Sequence, residues 1–208
     1  MTKIVSTVFL LVLILLLPLA SMEKAEIAEE PAEATKITSF STAKPNTLAF
    51  NISKGDGEYR LVAVMKEKEP GIPIDTFYYK PDERCGMGDS LPGGGYVTHL
   101  SEYDNYFEIK NLDAGTEYFI KIFDANGWGA KANYLTDGVK SYSHTTIPEI
   151  PYIEEIHYTD KNIKIDWNDA KGAERYSFQA AYDKTFKEYI DGFKNIIVFS
   201  SSADIPYS

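Results

Sequence analysis

From residue 37 onward, hydrophobic and polar positions alternate with a period of two between turn signals, the pattern of half-buried β-strands. Thr47 to Ser53 puts Leu48, Phe50 and Ile52 on one face. Asn105 to Leu112 turns Phe107 and Ile109 inward and Glu108 and Lys110 outward, and Tyr118 to Phe123 lines up Tyr118, Ile120 and Ile122. Tyr59 to Lys66 (YRLVAVMK) is a near-continuous apolar run of strand length. Glycine and proline punctuate the intervals at Gly55-Asp56-Gly57, Pro70-Gly71, Pro92-Gly93-Gly94-Gly95 and Asn126-Gly127. Strands without helices between them argue for antiparallel sheets, so the predicted fold class is all-β.

The N-terminus follows another pattern. Lys3 precedes an unbroken apolar run from Val8 to Leu17, Pro18 ends it, and Ala20-Ser21 offers small residues. This is the layout of a secretory signal peptide over residues 1–20, a signal helix removed from the mature protein. The rival reading is an uncleaved signal anchor, because the stretch is near the lower length limit for crossing a bilayer. No cysteine stands just after the run, so a bacterial lipoprotein anchor is not available. Residues 21–36 (SMEKAEIAEEPAEATK) are rich in Glu and Ala and hold little apolar surface. They are expected to form an acidic flexible tether, with a short helix as the alternative.

Leu112-Asp113-Ala114-Gly115-Thr116-Glu117-Tyr118 has the makings of a tyrosine corner. A leucine precedes a tight glycine turn, and a tyrosine opens the next strand, its hydroxyl free to bond backbone across the corner. The stretch resembles the corner of a fibronectin type III module, with Ala114 where that family commonly has proline. Arg60-Leu61-Val62, Gly95-Tyr96-Val97, Asn126-Gly127 and Asn133-Tyr134-Leu135-Thr136 extend the similarity to a variant common in secreted proteins of gliding and gut-type bacteria. The resemblance covers residues 37–140 and implies an immunoglobulin-like β-sandwich.

Pro148 to Pro151 reads as part of a linker over residues 141–151. A second unit follows, in which Asn162 to Trp167 alternates Ile163, Ile165 and Trp167 inward, and Arg175 to Ala181 alternates Tyr176, Phe178 and Ala180. These stretches are similar to the second and third strands of another fibronectin type III module. About 57 residues remain after Pro151, against about 100 for a complete sandwich. The expected second module, residues 152–208, is therefore cut short, and the chain reads as a fragment of something longer.

Charge and composition narrow the chemistry. The 208 residues carry 21 Lys+Arg against 31 Asp+Glu, a net charge of −10, which disfavours nucleic acid as a partner because phosphate binding rests on Lys and Arg. One cysteine and three histidines exclude an internal disulfide and leave little material for metal or triad sites. Cys85 with His99 could form a catalytic pair, but nothing else of such a signature is present, so an unpaired thiol is favoured. Pro92 to Gly95 lacks the Lys-Ser/Thr of a phosphate loop and precedes a strand. Asp124-Ala125-Asn126-Gly127 starts like a calcium loop, yet position 135 is Leu where the closing Glu belongs; a type I′ turn at Asn126-Gly127 is simpler. Asp82-Glu83 and Glu154-Glu155 could serve as a glycosidase pair only at the right separation, and solvated loops are the plainer reading. Asn51-Ile52-Ser53 is a glycosylation sequon that matters only in a eukaryotic host.

Trp128, between Gly127 and Gly129, is the candidate surface contact, able to anchor a partner or stack on a sugar; the alternative is a ring folded back over the sandwich end. Tyr118 and Trp167 are expected to be structural. No catalytic residue, cofactor or metal is expected. The chain reads as an exported, non-catalytic protein, secreted or membrane-anchored by its N-terminal segment. Its implied work is cell-surface or extracellular adhesion, ligand binding or domain spacing, with a protein or glycan ligand. The alternatives are the non-catalytic N-terminal part of a larger secreted hydrolase and a carbohydrate-binding module using Trp128.

Overall fold

A computed structural model describes residues 26–41 and 44–206; the expected signal segment 1–20 and the start of the expected tether lie outside the described residues. Among the described residues no helix is long and apolar enough to cross a membrane.

The first unit is a β-sandwich of two antiparallel sheets. One contains β1 (Lys36–Phe40), β2 (Leu48–Ser53) and β5 (Tyr106–Ile109) in the order β1-β2-β5. The other is built on β3 (Tyr59–Lys66), β4 (Tyr96–Ser101), β6 (Glu117–Asn126) and β7 (Asn133–Tyr134), in the order β4-β3-β6-β7, and β8 (Tyr142–Thr145) also pairs with β6. Between the sheets the alternating rows meet: Leu48, Phe50 and Ile52 from β2, Val62 and Val64 from β3, Phe107 and Ile109 from β5, and Ile120 and Ile122 from β6. This is the all-β sandwich that the alternating rows and the corner motif imply.

A second core explains the unbroken apolar run of β3. Its other face presents Tyr59, Leu61 and Ala63, which pack with Phe123, Ala125, Val97 and Tyr134 under Tyr79 and Leu91. Tyr79 and Leu91 belong to the long β3–β4 connection, residues 67–95. That connection lies over the outer face of the sheet, so β3 is buried on both sides, and a strand buried on both sides loses its alternation. The same connection stitches the open side of the sandwich. Val97 donates to the Asp89 carbonyl at 2.8 Å, and Lys110, just past β5, donates to that of Glu83 at 2.8 Å. Two edges that could pair with other chains are thereby occupied.

Three expectations need correction. The flexible tether over 21–36 does not extend to residue 36: from Ala28 the chain is fastened to the first unit. Ala28 donates to the Lys131 carbonyl at 3.0 Å, Asn126 Nδ2 donates to that of Glu29 at 2.9 Å, and Thr35 is buried. Hydrogen bonds do much of the fastening, most of them between the segment's backbone and side chains of the first unit such as Asp56, Asp124 and Asn126, which is why composition misses it. The linker over 141–151 is shorter, because β8 completes the first sandwich and Thr146 is buried behind it. Asn126-Gly127 is not a two-residue turn either. β6 and β7 pair at Asn126 and Asn133, so residues 127–132 form a wider loop with one 3-10 turn at Gly129–Lys131.

The second unit has β9 (Ile153–Tyr158), β10 (Asn162–Trp167) and β13 (Ser202–Pro206) in one sheet, ordered β13-β10-β9. A two-stranded ribbon, β11 (Tyr176–Phe178) and β12 (Ile196–Val198), faces it. Trp167 is buried at this meeting, stacked on Phe178 with ring centroids 5.5 Å apart. Beside it a cavity of about 240 Å³ opens between Ile153, Ile165, Tyr176 and Phe178.

Candidate functional site

At the end of the first sandwich where the N-terminal segment arrives, Trp128 begins a row of rings. It stacks on Tyr59 at 4.1 Å with the planes 21° apart. Tyr59 meets Tyr134 edge-on at 6.1 Å, Tyr134 meets Tyr79 at 6.1 Å, and Tyr79 meets Phe77 at 4.7 Å. The three tyrosines are buried, whereas Trp128 and Phe77 at the two ends are about half exposed. Trp128 therefore combines the two outcomes weighed from sequence: the ring folds back over the sandwich, and 43% of the residue stays accessible. Contacts between such rings contribute about 0.5–1.5 kcal/mol each beyond the area they bury, so the exposed rings are braced from behind.

Polar groups fix the row in place. Tyr134 Oη donates to the Phe77 carbonyl at 3.1 Å, and Asp75 Oδ1 accepts from the Tyr134 N–H at 2.8 Å. Burial pushes the Tyr134 phenol well above its usual range, helped by the neighbouring Tyr59. Glu58 Oε2 accepts from the Gly127 N–H, and Asn126 Oδ1 accepts from that of Glu58. The loop that holds Trp128 is thus tied to the start of β3. Phe77 and Tyr79 come from the 67–95 connection and were not singled out by sequence; their pairing across residues 57 apart in Tyr134–Phe77 leaves no local periodicity to read.

Beneath this end lies a buried ion pair. Asp124 is fully buried, with Arg60 Nε 3.5 Å from its Oδ1. Its oxygens accept from the Thr35 N–H at 2.6 Å and the Thr35 hydroxyl at 2.9 Å. Arg60 spends its other nitrogens on the carbonyls of Glu102 and Gly57. Burial pushes the Asp124 carboxyl up, with the bonds from Thr35 and the Arg60 charge pulling the other way. What resembled the start of a calcium loop is a clamp on the N-terminal segment, and among the described residues no three metal-ligating groups come together. An arginine inside an apolar strand was the legible signal, since a buried charge needs a partner.

The remaining candidates are placed apart from chemistry. Cys85 is half-buried against the inner core and lines a cavity of about 410 Å³ with Lys66, Asp113 and Tyr118. His99 is not in that lining; it sits against Phe107 at 5.1 Å. Burial raises the Cys85 thiol and lowers the His99 imidazole, the reverse of what a thiolate–imidazolium pair needs. Asp82 is held below the usual carboxylate range by Arg84, and Glu83 pairs with Lys110 at 2.7 Å, whereas a general acid needs a raised pKa. Glu154 and Glu155 are successive residues of β9 and point to opposite faces. Asn51 donates to the Ser39 hydroxyl. Tyr118 makes the corner: its hydroxyl accepts from the Asp113 N–H at 2.9 Å.

No family model matches the sequence, and no curated protein matches it. Among solved structures, a two-domain fibronectin type III segment of chicken tenascin is 13% identical, covers 83% of this chain and 82% of its own, and has a TM-score of 0.46. A β-sandwich protein redesigned by computer is 16% identical over 58% of this chain and 97% of its own, with a TM-score of 0.36.

Proposed function

We propose that the protein is exported and works at the cell surface or outside the cell as a non-catalytic module that binds a ligand and spaces its neighbours. The observation that carries this reading is Trp128: a large aromatic, half exposed, braced on the buried Tyr59. A ring held ready in its binding orientation loses little entropy on capture. Export rests on the apolar run from Val8 to Leu17 and on Lys3 before it.

The row from Trp128 to Phe77 favours a second, narrower reading, a carbohydrate-binding module. Flat rings at both ends suit the apolar faces of sugars, and the net charge of −10 disfavours anionic glycans. Binding of the secreted protein to a glycan array, lost in a Trp128→Ala variant that still unfolds cooperatively, supports this reading. Glycan binding equal in wild type and Trp128→Ala overturns it, and capture of a protein ligand that needs Trp128 leaves only the broader one. For export, the mature chain should begin near Ser21; protein retained in membranes with residues 1–20 intact shows an anchor instead.

A further inference from the structure

Two loops from different units meet at their backbones. One is the β5–β6 corner, Asp113 to Gly115; the other is the β10–β11 loop at Lys171 and Gly172. Both glycines have positive φ, +61° at Gly115 and +81° at Gly172. A Cβ on Gly115 would lie 2.4 Å from the Gly172 carbonyl oxygen, and one on Gly172 would lie 2.5 Å from that of Ala114. Neither position has room for a side chain, because the other unit's backbone fills the space.

Further bonds surround the contact. Lys171 Nζ donates to Asp113 Oδ1 at 2.8 Å, and the Glu149 N–H in the linker donates to the Lys171 carbonyl at 2.9 Å. Asp113 is itself held: its N–H donates to Tyr118, and its other oxygen takes Lys66 Nζ at 3.3 Å. The connecting segment is pinned at both ends. Thr146 Oγ1 donates to the Asp113 carbonyl at 2.6 Å, and the Tyr152 N–H donates to Asn168 Oδ1 at 2.7 Å. Tandem domains move freely by default unless their interface restrains them, and a short pinned linker keeps the second surface at high effective concentration beside the first.

We infer that the β5–β6 corner is an internal docking surface for the β10–β11 loop, and that it holds the two units at one fixed orientation. The partner that fits it has a glycine at the contact and a cation beside it, as Gly172 and Lys171 supply. This rigidity is independent of what Trp128 binds.

Residual dipolar couplings on the full chain test it. Strands of both units should fit one common alignment tensor. Gly172→Ala and, separately, Lys171→Glu, which sets a like charge against Asp113, should each abolish the common fit while both units keep dispersed spectra. Lys171→Glu leaves the glycine backbone untouched and stands alone if Gly172→Ala does not fold. Gly192→Ala is the control, since Gly192 also has positive φ (+79°) but nothing within 4 Å of its added Cβ. The inference is overturned if the wild-type units need two tensors, if Lys171→Glu keeps the common tensor, or if Gly192→Ala abolishes it too.

Discussion

On β2, Leu48, Phe50 and Ile52 are all buried, whereas on β10 Ile163 and Ile165 are only half-buried, and Tyr158 on neighbouring β9 is 71% exposed. The alternation along the strands is the same in both units; the facing layer is not. β2 lies under a sheet that runs β4-β3-β6-β7, while β10 faces a ribbon of two three-residue strands that reaches Trp167 and little beyond. Alternation therefore specifies a strand and its inward side, but the free energy of burial, about 25 cal/mol per Å² of apolar surface, depends on an opposing layer that the strand itself does not encode.

The sharpest way to break the comparison is to truncate a ring in each unit. Phe50→Ala should cost about 3–5 kcal/mol, as large aromatic truncations in closed cores do. Phe178→Ala, at a half-buried site, should cost about 1–2 kcal/mol, in proportion to the smaller area it hides. Chemical denaturation followed by a probe in each unit gives both values, and equal losses would show that the cores are equivalent.

Next comes the buried charge, which the first unit has and the described part of the second lacks. Asp124→Ala leaves Arg60 buried without its counter-ion and should cost about 3 kcal/mol. It should also release residues 28–35, visible as lost amide protection there and not in β10.

The hydroxyl of Tyr118 has a counterpart. Tyr176 Oη accepts from the Ala170 N–H at 3.0 Å, much as Tyr118 accepts from Asp113. Tyr118→Phe should cost about 1–3 kcal/mol by leaving a partly buried N–H unpaired, and Tyr176→Phe should cost less, because water reaches the second unit more easily. Urea melts of the two variants check the order.

The smallest effect is acid release of two loop carboxylates. Asp56 accepts from the Ala32 and Glu33 N–H groups and is held below its ordinary value chiefly by Glu33. Asp183 is held at about 2, first by the Thr185 hydroxyl and then by the Glu188 N–H. A depressed folded pKa contributes stability above the unfolded value of 3.8 that disappears as pH falls through the folded value. Protection of these amides should therefore persist below pH 3.8 in both units and, in the second, vanish only near pH 2. Loss already at mildly acid pH would show that the turns are not held by carboxylates.

Much of the first sandwich was legible. The inward rows of β2, β5, β6 and β10 each follow from period two, and the corner followed from glycine and tyrosine at fixed spacing. β12 and β13 were not foreseen, because a short strand is defined by a distant partner: Ile205 pairs with Ile163, and Ile197 with Ser177. The braced row behind Trp128 was missed for the same reason, although Trp128 itself was found. The clamp of Asp124 on Thr35 spans 89 positions, and only the odd charge of Arg60 within β3 hinted at it.

The fastening of residues 28–35 has a mechanical consequence. The N-terminal segment meets the sandwich beside Lys131, at the end where β6 finishes, and the chain departs for the second unit from Thr146, which is bonded to Thr116 just before β6 begins. With a rise of about 3.3 Å per residue, these points lie at opposite ends of the strand. A pull between residues 28–35 and the second unit would run along the strands, so the bonds of β8 to β6 and those of the Thr35 clamp would share the load in shear instead of parting one after another.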